Sequence, residues 1–483
     1  MKKIEKPLFF FLITLFSLGF CLISVLRHLR FESFGYDLGI YDQGLWLWSR
    51  FQEPFSTIKN SHIFGDHLVP SLYLISPIYW FFDDTKALLI FQSVWITLGV
   101  IPLYLLAKEK LKNLFLLFVL SFSYLSFFGI QNGVFFDFHP LVMAAPLLAW
   151  WLYFFEKNER IHFLIFFLLL GLQENISLLM AAFGVMAIFR KETRKDGFMI
   201  TILSLGWFLL ATKIIIPYFL HGEGFVYLPQ QLIFNPVFFL KELFYPFQKT
   251  KTILLTLGNF GFLPLLYPPV LIPIFEQFTE RFVGNIVATR WGTGLHYSAL
   301  LAPILVYGTI KSLEKKFFKK RKLLTYSFAT LVLIMAIFYQ YLLHLPLNML
   351  SKKEFYQLPE RREQINEVMT MIGEKESVAT QNNLLPHLSH REEIYTFSSC
   401  QDIPDPSRGM YCQPLVDEDS EQLPLIEKEK VKFILVDFSP GQNPNNFFPD
   451  GEERLKRYLE ELLLDKKYTI KFQEKEVILL ERK

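Results

Sequence analysis

Charged residues are scarce in this chain. Asp, Glu, Lys and Arg make up 20% of its 483 residues, whereas 52% are hydrophobic and 53 are phenylalanine. The mean hydropathy is +0.29. So little charge beside so much aromatic mass excludes an ordinary soluble globular protein. The net charge of +3 is spread along the chain, so nucleic-acid binding is not indicated either.

Cysteine is almost as rare, with three residues in the sequence. We interpret Cys21, in the first apolar segment, as inert filling. Cys400 and Cys412 would form a disulfide if their part of the chain lies in an oxidising compartment, a point that two cysteines leave open. The sequence also lacks a small-x-small cleavage site between the first apolar run, Pro7–Val25, and Arg27. We therefore expect a retained first helix rather than a cleaved signal peptide.

Long apolar runs are abundant. They recur up to about residue 345 and indicate a polytopic membrane protein. Basic residues mark the cytoplasmic ends of spans, so we place six basic loops inside: Lys2/Lys3/Lys6, Lys108/Lys110/Lys112, Lys157/Arg160, Arg190–Lys195, Lys249/Lys251 and Lys311–Lys322. About eleven spans follow, with the N-terminus inside and the C-terminal domain outside. They are 7–26, 86–107, 113–131, 140–155, 161–174, 175–189, 198–216, 233–248, 252–275, 296–310 and 323–345.

Two segments depart from this pattern. Segment 68–82 is apolar but contains two prolines and precedes Asp83 and Asp84, so we predict an interfacial or re-entrant element. Segment 161–189 has to cross twice to return its flanking basic loops to the cytoplasm. Each crossing is shorter than the about 20 residues of a full span. The polar trio Gln173-Glu174-Asn175 lies at the tip between the two crossings.

The composition becomes ordinary in the C-terminal part and predicts a soluble α/β domain. Strands are predicted at 376–380, 393–397 and 431–438, and a helix is predicted at 451–467. The runs YTIKF and EVILLE are predicted to form a closing pair of strands. Neither a phosphate-binding loop nor metal-ligand spacing is present, so we interpret this part as a packing or acceptor-docking domain. The predicted fold is an all-α polytopic membrane domain (1–348), with an external loop at 27–85, followed by a small extracytoplasmic α/β domain (349–483).

Acids, histidines and cations gather at the outer face of this topology. Because charged groups are costly in a membrane, such a set is a candidate functional site. Structural alternatives exist: Asp42 could face water, and Asp137 or His139 could cap a helix. Lys213 could reach lipid phosphates, whereas Glu174 and Asp37 are the hardest to explain structurally. The set comprises Asp37, Asp42, Asp66, His67, Asp137, His139, Glu174, Lys213, His221, Glu223, Arg290, His296 and Tyr297.

Several motifs resemble the GT-C superfamily of polytopic glycosyltransferases, which use lipid-phosphate-linked sugars. The relevant stretches are YDLGIYDQ at 36–43 and DHLVPSLY at 66–73. More narrowly, YDLGIYDQGLW, DHLVPSLYLISPIY, FDFHP, QEN, LHYSALLAP and NNLLPHLSHREEIYTF resemble a family of predicted bacterial and archaeal membrane proteins placed in that superfamily. Two departures are visible. Leu38 follows Asp37 where the superfamily often has a second acid, and QEN replaces the Lys-Glu-Asp common in the narrow family.

The resemblance implies a bacterial inner-membrane enzyme that moves a sugar from a polyprenyl-phosphate donor to an extracytoplasmic glycan, lipid or protein, with inversion. Asp37 would be the general base. Donor or phosphate binding would fall to Asp42, Asp66, His67, Lys213, Arg290, His296 and Tyr297. Asp137, His139 and Glu174 would order the sugar or hold a divalent ion, Mg²⁺ or Mn²⁺.

Two other functions stay open. Many spans with scattered polar residues also suit a transporter or lipid-carrier flippase, in which Glu174 and Lys213 would line a path. Transporters often contain internal repeats with paired broken helices, and we find no convincing repeat here. A non-catalytic relative that binds the lipid carrier is the second alternative.

Overall fold

The computed structural model describes residues 2–221, 235–284, 287–400 and 425–483. The chain divides into two compact units. The helical unit comprises Met1–Ser24, His67–Leu72 and Leu89–Lys353. The sheet unit comprises Val25–Asp66, Tyr73–Leu88 and Glu354–Lys483. The sheet unit therefore contains most of the predicted external loop in addition to the predicted C-terminal domain.

The described residues are mostly helical. The α-helices are α1 (Lys2–Leu29), α2 (Ile40–Ser49), α3 (Ile63–Asp66), α4 (Lys86–Leu98), α5 (Val100–Leu111), α6 (Leu114–Ser126), α7 (Phe128–Phe135), α8 (Pro140–Glu156), α9 (Ile161–Leu170), α10 (Ile176–Ile188), α11 (Arg194–Leu210), α12 (Ile216–Phe219), α13 (Pro236–Phe244), α14 (Phe247–Gly258), α15 (Leu271–Phe282), α16 (Leu301–Leu313), α17 (Lys316–Lys320), α18 (Lys322–Leu342), α19 (Arg362–Thr370), α20 (Leu425–Lys428) and α21 (Glu452–Leu464). The strands are β1 (Phe55–Ser56), β2 (Ser61–His62), β3 (Val378–Thr380), β4 (Ile394–Thr396), β5 (Phe433–Asp437), β6 (Tyr468–Glu474) and β7 (Val477–Arg482).

Shorter helical turns connect these elements. The 3₁₀ helices are Pro70–Leu74, Ser76–Trp80, Leu263–Leu266, Pro268–Val270, Ala288–Trp291, His296–Ser298, Pro346–Ser351, Lys353–Tyr356, Leu385–His387 and Pro444–Phe447. π-helical segments occur at Gly35–Gly39 and Ala211–Ile215.

Five helical stretches of the described residues are long and apolar enough to cross a membrane. They are Glu5–Leu29, Lys86–Leu111, Leu114–Phe135, Arg194–Phe219 and Lys322–Leu342. The pair Ala288–Ser298 and Leu301–Leu313 would be a sixth, bent by 68° at its break. Helices α8, α9 and α10 are apolar but shorter. Nine of the predicted spans therefore correspond to apolar helices, and the protein is a membrane protein with several membrane-capable helices.

The predicted span 252–275 is not a continuous helix. Helix α14 ends at Gly258, and Gly261 and Phe262 both have a φ of 56°. Prolines at 264 and 268 then favour 3₁₀ turns over an α-helix before α15 begins. Lys249 Nζ donates to the carbonyl of Phe282, 2.7 Å away, so the two ends of the segment meet. The segment is a hairpin, and the prediction of a single crossing is wrong.

The neighbouring prediction, a span at 233–248, also fails. Its described part contains only the nine-residue helix α13, about 14 Å long against a hydrocarbon core of about 30 Å. Without these two crossings, the predicted count falls from eleven to nine. The assignment of Lys249 and Arg290 to opposite faces is wrong, however, because Lys249 Nζ lies 4.5 Å from the ring centroid of Trp291.

The segment 161–189 forms two short helices, α9 and α10, with the polar trio at the turn between them, as predicted. Gly171 precedes this turn and contacts Ser71. The amide of Ser71 donates to the carbonyl of Gly171 at 2.7 Å, and Ser71 Oγ donates to the carbonyl of Leu168 at 2.8 Å. A Cβ atom on Gly171 would lie 2.3 Å from Ser71 Oγ. Only glycine therefore permits this close approach.

Segment 68–82 contains two 3₁₀ helices, Pro70–Leu74 and Ser76–Trp80, and no helix long enough to span, in line with the predicted interfacial element. The aromatic residues that follow, Phe81 and Phe82, are exposed. Exposed aromatic side chains of this kind are typical of a membrane–water interface.

The sheet unit contains a five-stranded mixed sheet of order β4-β3-β5-β7-β6. β3 runs parallel to both β4 and β5, whereas β7 is antiparallel to β5 and β6. The predicted strands all appear, with ends shifted by up to two residues. The predicted helix at 451–467 also appears and ends three residues early, at Leu464. Cys400 is disulfide-bonded and Cys21 is a free thiol. The predicted partner, Cys412, lies outside the described residues.

One face of this sheet shares its core with the N-terminal segment. Leu435 and Leu479 pack in one buried cluster with Phe31, Ile40 and Ile58. The opposite face packs against α21. The alternation of side chains along the strands explains why one sheet buries two separate cores. The predicted external loop and the predicted C-terminal domain therefore fold as one unit.

Truncation of Ile58 tests this shared core. We expect Ile58→Ala to destabilise the sheet unit by about 2–5 kcal/mol, because a fully buried isoleucine leaves a cavity. Thermal unfolding of the detergent-solubilised protein measures the loss. The matched control is Ile470→Ala, whose side chain is 49% exposed and should change stability by less than about 0.5 kcal/mol. Equal effects of the two substitutions would contradict the shared core.

Candidate active site

Asp37 lies in the sheet unit on a strained turn. Its φ of 60° and ψ of −56° are close to a classic γ-turn, which is rare and costly for a residue with a side chain. Strain of this kind costs about 1–3 kcal/mol and persists only where the surroundings hold it. The backbone around Asp37 is therefore imposed by its neighbours in the fold.

Asn382 holds this turn from the C-terminal part of the chain. The amide of Gly35 donates to the Asn382 carbonyl at 2.7 Å, and the amide of Tyr36 donates to Asn382 Oδ1 at 3.2 Å. Asn382 Nδ2 in turn donates to the carbonyl of Asn445 at 2.9 Å. A single side chain thus connects the turn before Asp37 to the loop that follows β5.

The glycines around Asp37 are required by close packing. A Cβ atom on Gly35 would lie 2.3 Å from Leu385 Cδ1 and 2.7 Å from Leu385 Cβ. A Cβ atom on Gly39 would lie 3.0 Å from Ile58 Cδ1. The pattern G-Y-D-L-G therefore reflects a turn pressed onto the 381–386 segment, a reason that the sequence alone did not reveal.

Asp42 does not face water, contrary to the alternative considered for it, and is completely buried in the sheet unit. Its carboxylate accepts hydrogen bonds from Tyr79, from Thr85 at 2.8 Å and from Ser389 at 2.5 Å. His390 Nε2 lies 3.1 Å away. These four internal partners hold the carboxylate and stabilise the position of α2. We therefore remove Asp42 from the substrate-binding set.

Asp66 is a second buried acid of the sheet unit. It accepts a hydrogen bond from the Tyr41 hydroxyl at 3.2 Å and forms an ion pair with Lys59. The side chain of this lysine is also largely buried. These contacts give Asp66 an internal partner of opposite charge, as a buried carboxylate requires.

The pair of Asp42 and His390 makes the stability of the sheet unit depend on pH. Burial opposes both charges, but Asp42 and Asp83 together raise the pKa of His390 above its ordinary value. Burial alone would raise the pKa of Asp42. The charge of His390 and the hydrogen bonds have the larger effect and lower this pKa. The histidine contribution is complete below pH ~6.5 and is lost as the pH rises through the raised pKa. The aspartate contribution is complete above pH ~4 and is lost in acid.

We therefore expect the melting temperature to be higher at pH 6 than at pH 9, and His390→Gln to flatten this alkaline decline. Thermal unfolding across that range measures it. His344→Gln, at an exposed histidine, should leave the profile unchanged. An alkaline decline of the same size in the His390 variant would refute the ion pair.

The helical unit brings other members of the predicted set together around Glu174. This carboxylate is 1% exposed. His67 Nδ1 lies 2.9 Å from its Oε1, and the amide of Leu68 donates to Oε2 at 3.2 Å. Gln173 Nε2 lies 3.2 Å from His67 Nε2. A buried acid, an imidazole and an amide thus converge at the turn between α9 and α10.

Two further histidines extend this cluster. The rings of His139 and His296 stack with centroids 3.8 Å apart, and His67 lies 6.4 Å from His139. His139 Nδ1 accepts the amide of Leu141 at 3.1 Å, which fits the structural alternative of a helix cap. Its assignment to the sugar or to a divalent ion stays a prediction. Both ring nitrogens of His296 are buried without a hydrogen bond to any described residue. This imidazole is available to a ligand.

Gln92 on α4 shapes the turn that carries Asp137 and was missed in the sequence analysis. Its amide Nε2 donates to the carbonyl of Asp137, and its Oε1 accepts the amide of His139 at 3.0 Å. Asp137 itself has a φ of 75°. The available sequence signal for these hydrogen bonds was a single glutamine within an otherwise apolar helix.

Two more acids, also missed, lie on α15. Glu276 and Glu280 are four residues apart and share one face of the helix. Asn175 Nδ2 donates to Glu280 Oε1 at 2.5 Å, which joins this face to the polar trio. Glu276 Oε1 is buried without a partner among the described residues. The spacing of the two acids in FEQFTERF was the available signal. It was missed because the predicted span ended at residue 275, within this helix.

Arg281 positions the loop that carries Arg290 and Tyr297. Its buried guanidinium donates to the carbonyl of Arg290 at 2.9 Å, to the carbonyl of Gly292 at 2.6 Å and to Ser298 Oγ at 2.8 Å. The guanidinium of Arg290 lies 5.4 Å from the Tyr297 ring centroid. Glu280 interacts with it electrostatically, but it forms no ion pair with any described residue. Arg281 is therefore a structural cation, and Arg290 remains the candidate for a ligand.

Other predicted members lie apart from these contacts. Lys213, in the π-helical segment after α11, is exposed and has no partner in the described part of the chain, which fits the lipid-facing alternative. His221 is the last residue before a gap in the description, and Glu223 lies outside the described residues. Among the described residues, no group of three or more His, Cys, Asp or Glu side chains has metal-binding geometry. The ion at Asp137, His139 and Glu174 stays a prediction.

Comparison with known proteins gives three results. No curated protein matches the sequence. Among solved structures, the chain is similar to ArnT from Cupriavidus metallidurans, whose crystal structure contains undecaprenyl phosphate, with a TM-score of 0.47, 11% identity and 97% coverage of both chains. A similarity at this level does not establish a function. The family model of predicted membrane proteins, DUF2079, matches residues 27–479. Since this match covers nearly the whole chain, the protein belongs to the DUF2079 family of predicted membrane proteins.

Proposed function

We propose that this protein is a membrane glycosyltransferase that moves a sugar from a polyprenyl-phosphate-linked donor to an acceptor outside the cytoplasm, with inversion. The observation that carries the proposal is the buried polar cluster around Glu174. Carboxylates, imidazoles and guanidinium groups are expensive in an otherwise apolar helical unit and mark functional sites. The resemblance of the motifs to the GT-C superfamily indicates which function.

The donor phosphate is assigned to Arg290, with Tyr297 and His296 beside it. A guanidinium that forms no ion pair with a described carboxylate suits the oxygens of a leaving phosphate, because it donates in a planar fork. Its attraction grows as negative charge develops on the departing oxygen. Arg281 contributes by holding the loop through backbone carbonyls.

The sugar is assigned to the turn between α9 and α10. Glu174 accepts from His67 and from the Leu68 amide, so its charge and orientation are set before any ligand binds. Asn175 and Glu280 add an amide and a carboxylate beside it. Such fixed acceptors and donors recognise hydroxyl groups with defined geometry.

Asp37 is assigned the role of general base. The acceptor hydroxyl gives its proton to this carboxylate as its oxygen bonds to the anomeric carbon, and the bond from that carbon to the phosphate oxygen breaks. One displacement inverts the anomeric configuration, so a second catalytic carboxylate is not required. The predicted Mg²⁺ or Mn²⁺ enters none of these steps.

The orientation is part of the proposal. A disulfide at Cys400 supports an oxidising, extracytoplasmic location for the sheet unit. The odd parity of the spans supports the same assignment. In a bacterium this corresponds to the inner membrane, with the N-terminus in the cytoplasm.

The test uses the full chain in nanodiscs with radiolabelled undecaprenyl-phosphate hexoses and pentoses. We expect one donor to release its sugar, and Glu174→Gln to slow release about a hundredfold through loss of the charge paired with His67. Glu109→Gln, at an exposed glutamate with its side chain 42% exposed, should keep the rate. Equal rates for both variants, or vectorial movement of donor without sugar release, would contradict a transferase and favour transport.

A further inference from the structure

We propose that the sheet unit contains a second ligand site, an anion site for the phosphate group of a small polar molecule. It is a cavity of about 280 Å³, close to the lower end of the volumes typical of ligand pockets. Its lining includes His28, Lys86, Arg362, His387 and Arg391. Asp37 does not line it, so the site does not depend on the proposed transfer reaction.

The acids of the lining are already paired. Asp83 accepts from Trp46 Nε1 at 2.8 Å, forms an ion pair with Arg50 at 2.6 Å and contacts His390 Nδ1 at 2.8 Å. Asp84 pairs with Lys86 at 2.8 Å. These two carboxylates therefore pair with Arg50, His390 and Lys86, and neither forms an ion pair with Arg362 or Arg391.

Two guanidinium groups remain. Arg362 forms neither an ion pair nor a side-chain hydrogen bond with any residue in the described ranges. Arg391 is 6% exposed, and its Nε and Nη1 donate to the carbonyls of Leu388, Gly373 and Glu376. Its Nη2 makes no such contact. Glu374 acts on the Arg391 charge electrostatically, but no carboxylate of the described residues forms an ion pair with it. A buried guanidinium without an ion-pair partner is costly, and a bound anion would lower that cost.

One wall of the cavity presents a neutral imidazole with one unpartnered nitrogen. The rings of His28 and His387 stack with centroids 3.9 Å apart, and Phe31 packs on His387 at 4.4 Å. His387 Nε2 is buried and has no hydrogen-bond partner in the part of the chain that is described. Burial, followed by the neighbouring His28, Lys86 and Arg362, keeps the pKa of His387 well below its ordinary value. The other ring nitrogen bonds to the His28 backbone, so Nε2 is an acceptor. A ligand hydroxyl, including the P–OH of monohydrogen phosphate, would donate to this nitrogen.

Helix α19 adds a further attraction for an anion. It begins at Arg362 without a side-chain cap, and Asn366 on its next turn lines the cavity. The unsatisfied amides of a helix N-terminus favour negative charge. Two guanidinium groups without an ion-pair partner beside this terminus match a phosphate dianion better than the single charge of a carboxylate.

The phosphate could belong to a soluble ester or to a lipid headgroup, and the experiment separates the two. The full chain in phosphatidylcholine nanodiscs is titrated calorimetrically with inorganic phosphate, glucose 6-phosphate, glucose and acetate. We expect binding of the phosphates, little of glucose or acetate, and at least a tenfold weaker affinity for Arg362→Gln. Arg457→Gln, at an exposed arginine of the same unit, should bind like the wild type.

A second arm replaces part of the phosphatidylcholine with phosphatidic acid and follows the melting temperature. A stabilisation that requires Arg362, without binding of soluble phosphates, assigns the site to a lipid headgroup. His387→Phe keeps the ring stack and should weaken phosphate binding without lowering the melting temperature of the unliganded protein. Absence of any binding dependent on Arg362, in either arm, would overturn the proposal.

Discussion

Asp37→Asn is expected to reduce sugar transfer about a thousandfold, because a positioned general base contributes 10²–10⁴ to the rate. The substitution removes the charge and keeps the shape. Asparagine tolerates positive φ as well as aspartate does, so the turn at φ 60° should persist. Single-turnover transfer in nanodiscs with saturating donor measures the effect on the chemical step.

The control for Asp37 is Asp465→Asn. That side chain is 61% exposed at the end of α21, and its replacement should leave the transfer rate unchanged. Unaltered melting of the Asp37 variant would show that the fold survives. Normal product formation by that variant would remove Asp37 as the base, while the assignments to Arg290 and Glu174 would still stand on their own test.

Arg281→Gln is expected to cost about 3 kcal/mol or more in the stability of the helical unit and to abolish transfer. The guanidinium satisfies two carbonyls and one hydroxyl at once, and each buried acceptor left without a donor costs about 1–3 kcal/mol. The loop that carries Arg290 and Tyr297 would lose its position. Chemical unfolding in detergent reports the first effect, and donor titration reports the second as weaker binding.

Arg160→Gln is the matched control for Arg281, since that side chain is 82% exposed and its nearest acid lies 3.8 Å away. It should change neither stability nor donor affinity. The conservative variant Arg281→Lys keeps the charge but can satisfy fewer of the three acceptors, and we expect an intermediate loss. Wild-type stability of Arg281→Gln would show that the three contacts contribute little.

The predictions that succeeded rest on local patterns. The apolar helices are recognisable because about 20 consecutive apolar residues have few structural alternatives, and the strand at 433–437 is recognisable because its apolar run is short and rich in branched residues. A helix cap at Asp137 or His139 was considered because both stand just before Pro140, and the hydrogen bond to Leu141 shows that His139 is the cap. Each of these features depends on residues within one turn or one strand.

The predictions that failed depend on distant contacts. The segment 252–275 is apolar enough to span, but its glycines and prolines allow a hairpin whose ends meet at Lys249 and Phe282. Asp42 could be assigned to substrate only while its partners Tyr79 and His390 were unknown. Glu280 was overlooked because Asn175, which binds it, is more than a hundred residues away in sequence.

The sequence by itself determined that this is a membrane protein, which family it resembles, and the type of most of its elements, because hydropathy and short-range periodicity are properties of neighbouring residues. Only the tertiary structure decided which polar side chains meet. Burial satisfies each charge with whichever partner the fold brings near, so Asp42 and Asp66 make internal contacts and Arg281 holds a loop. Arg290, His296 and Arg362 are the groups that we propose for ligands.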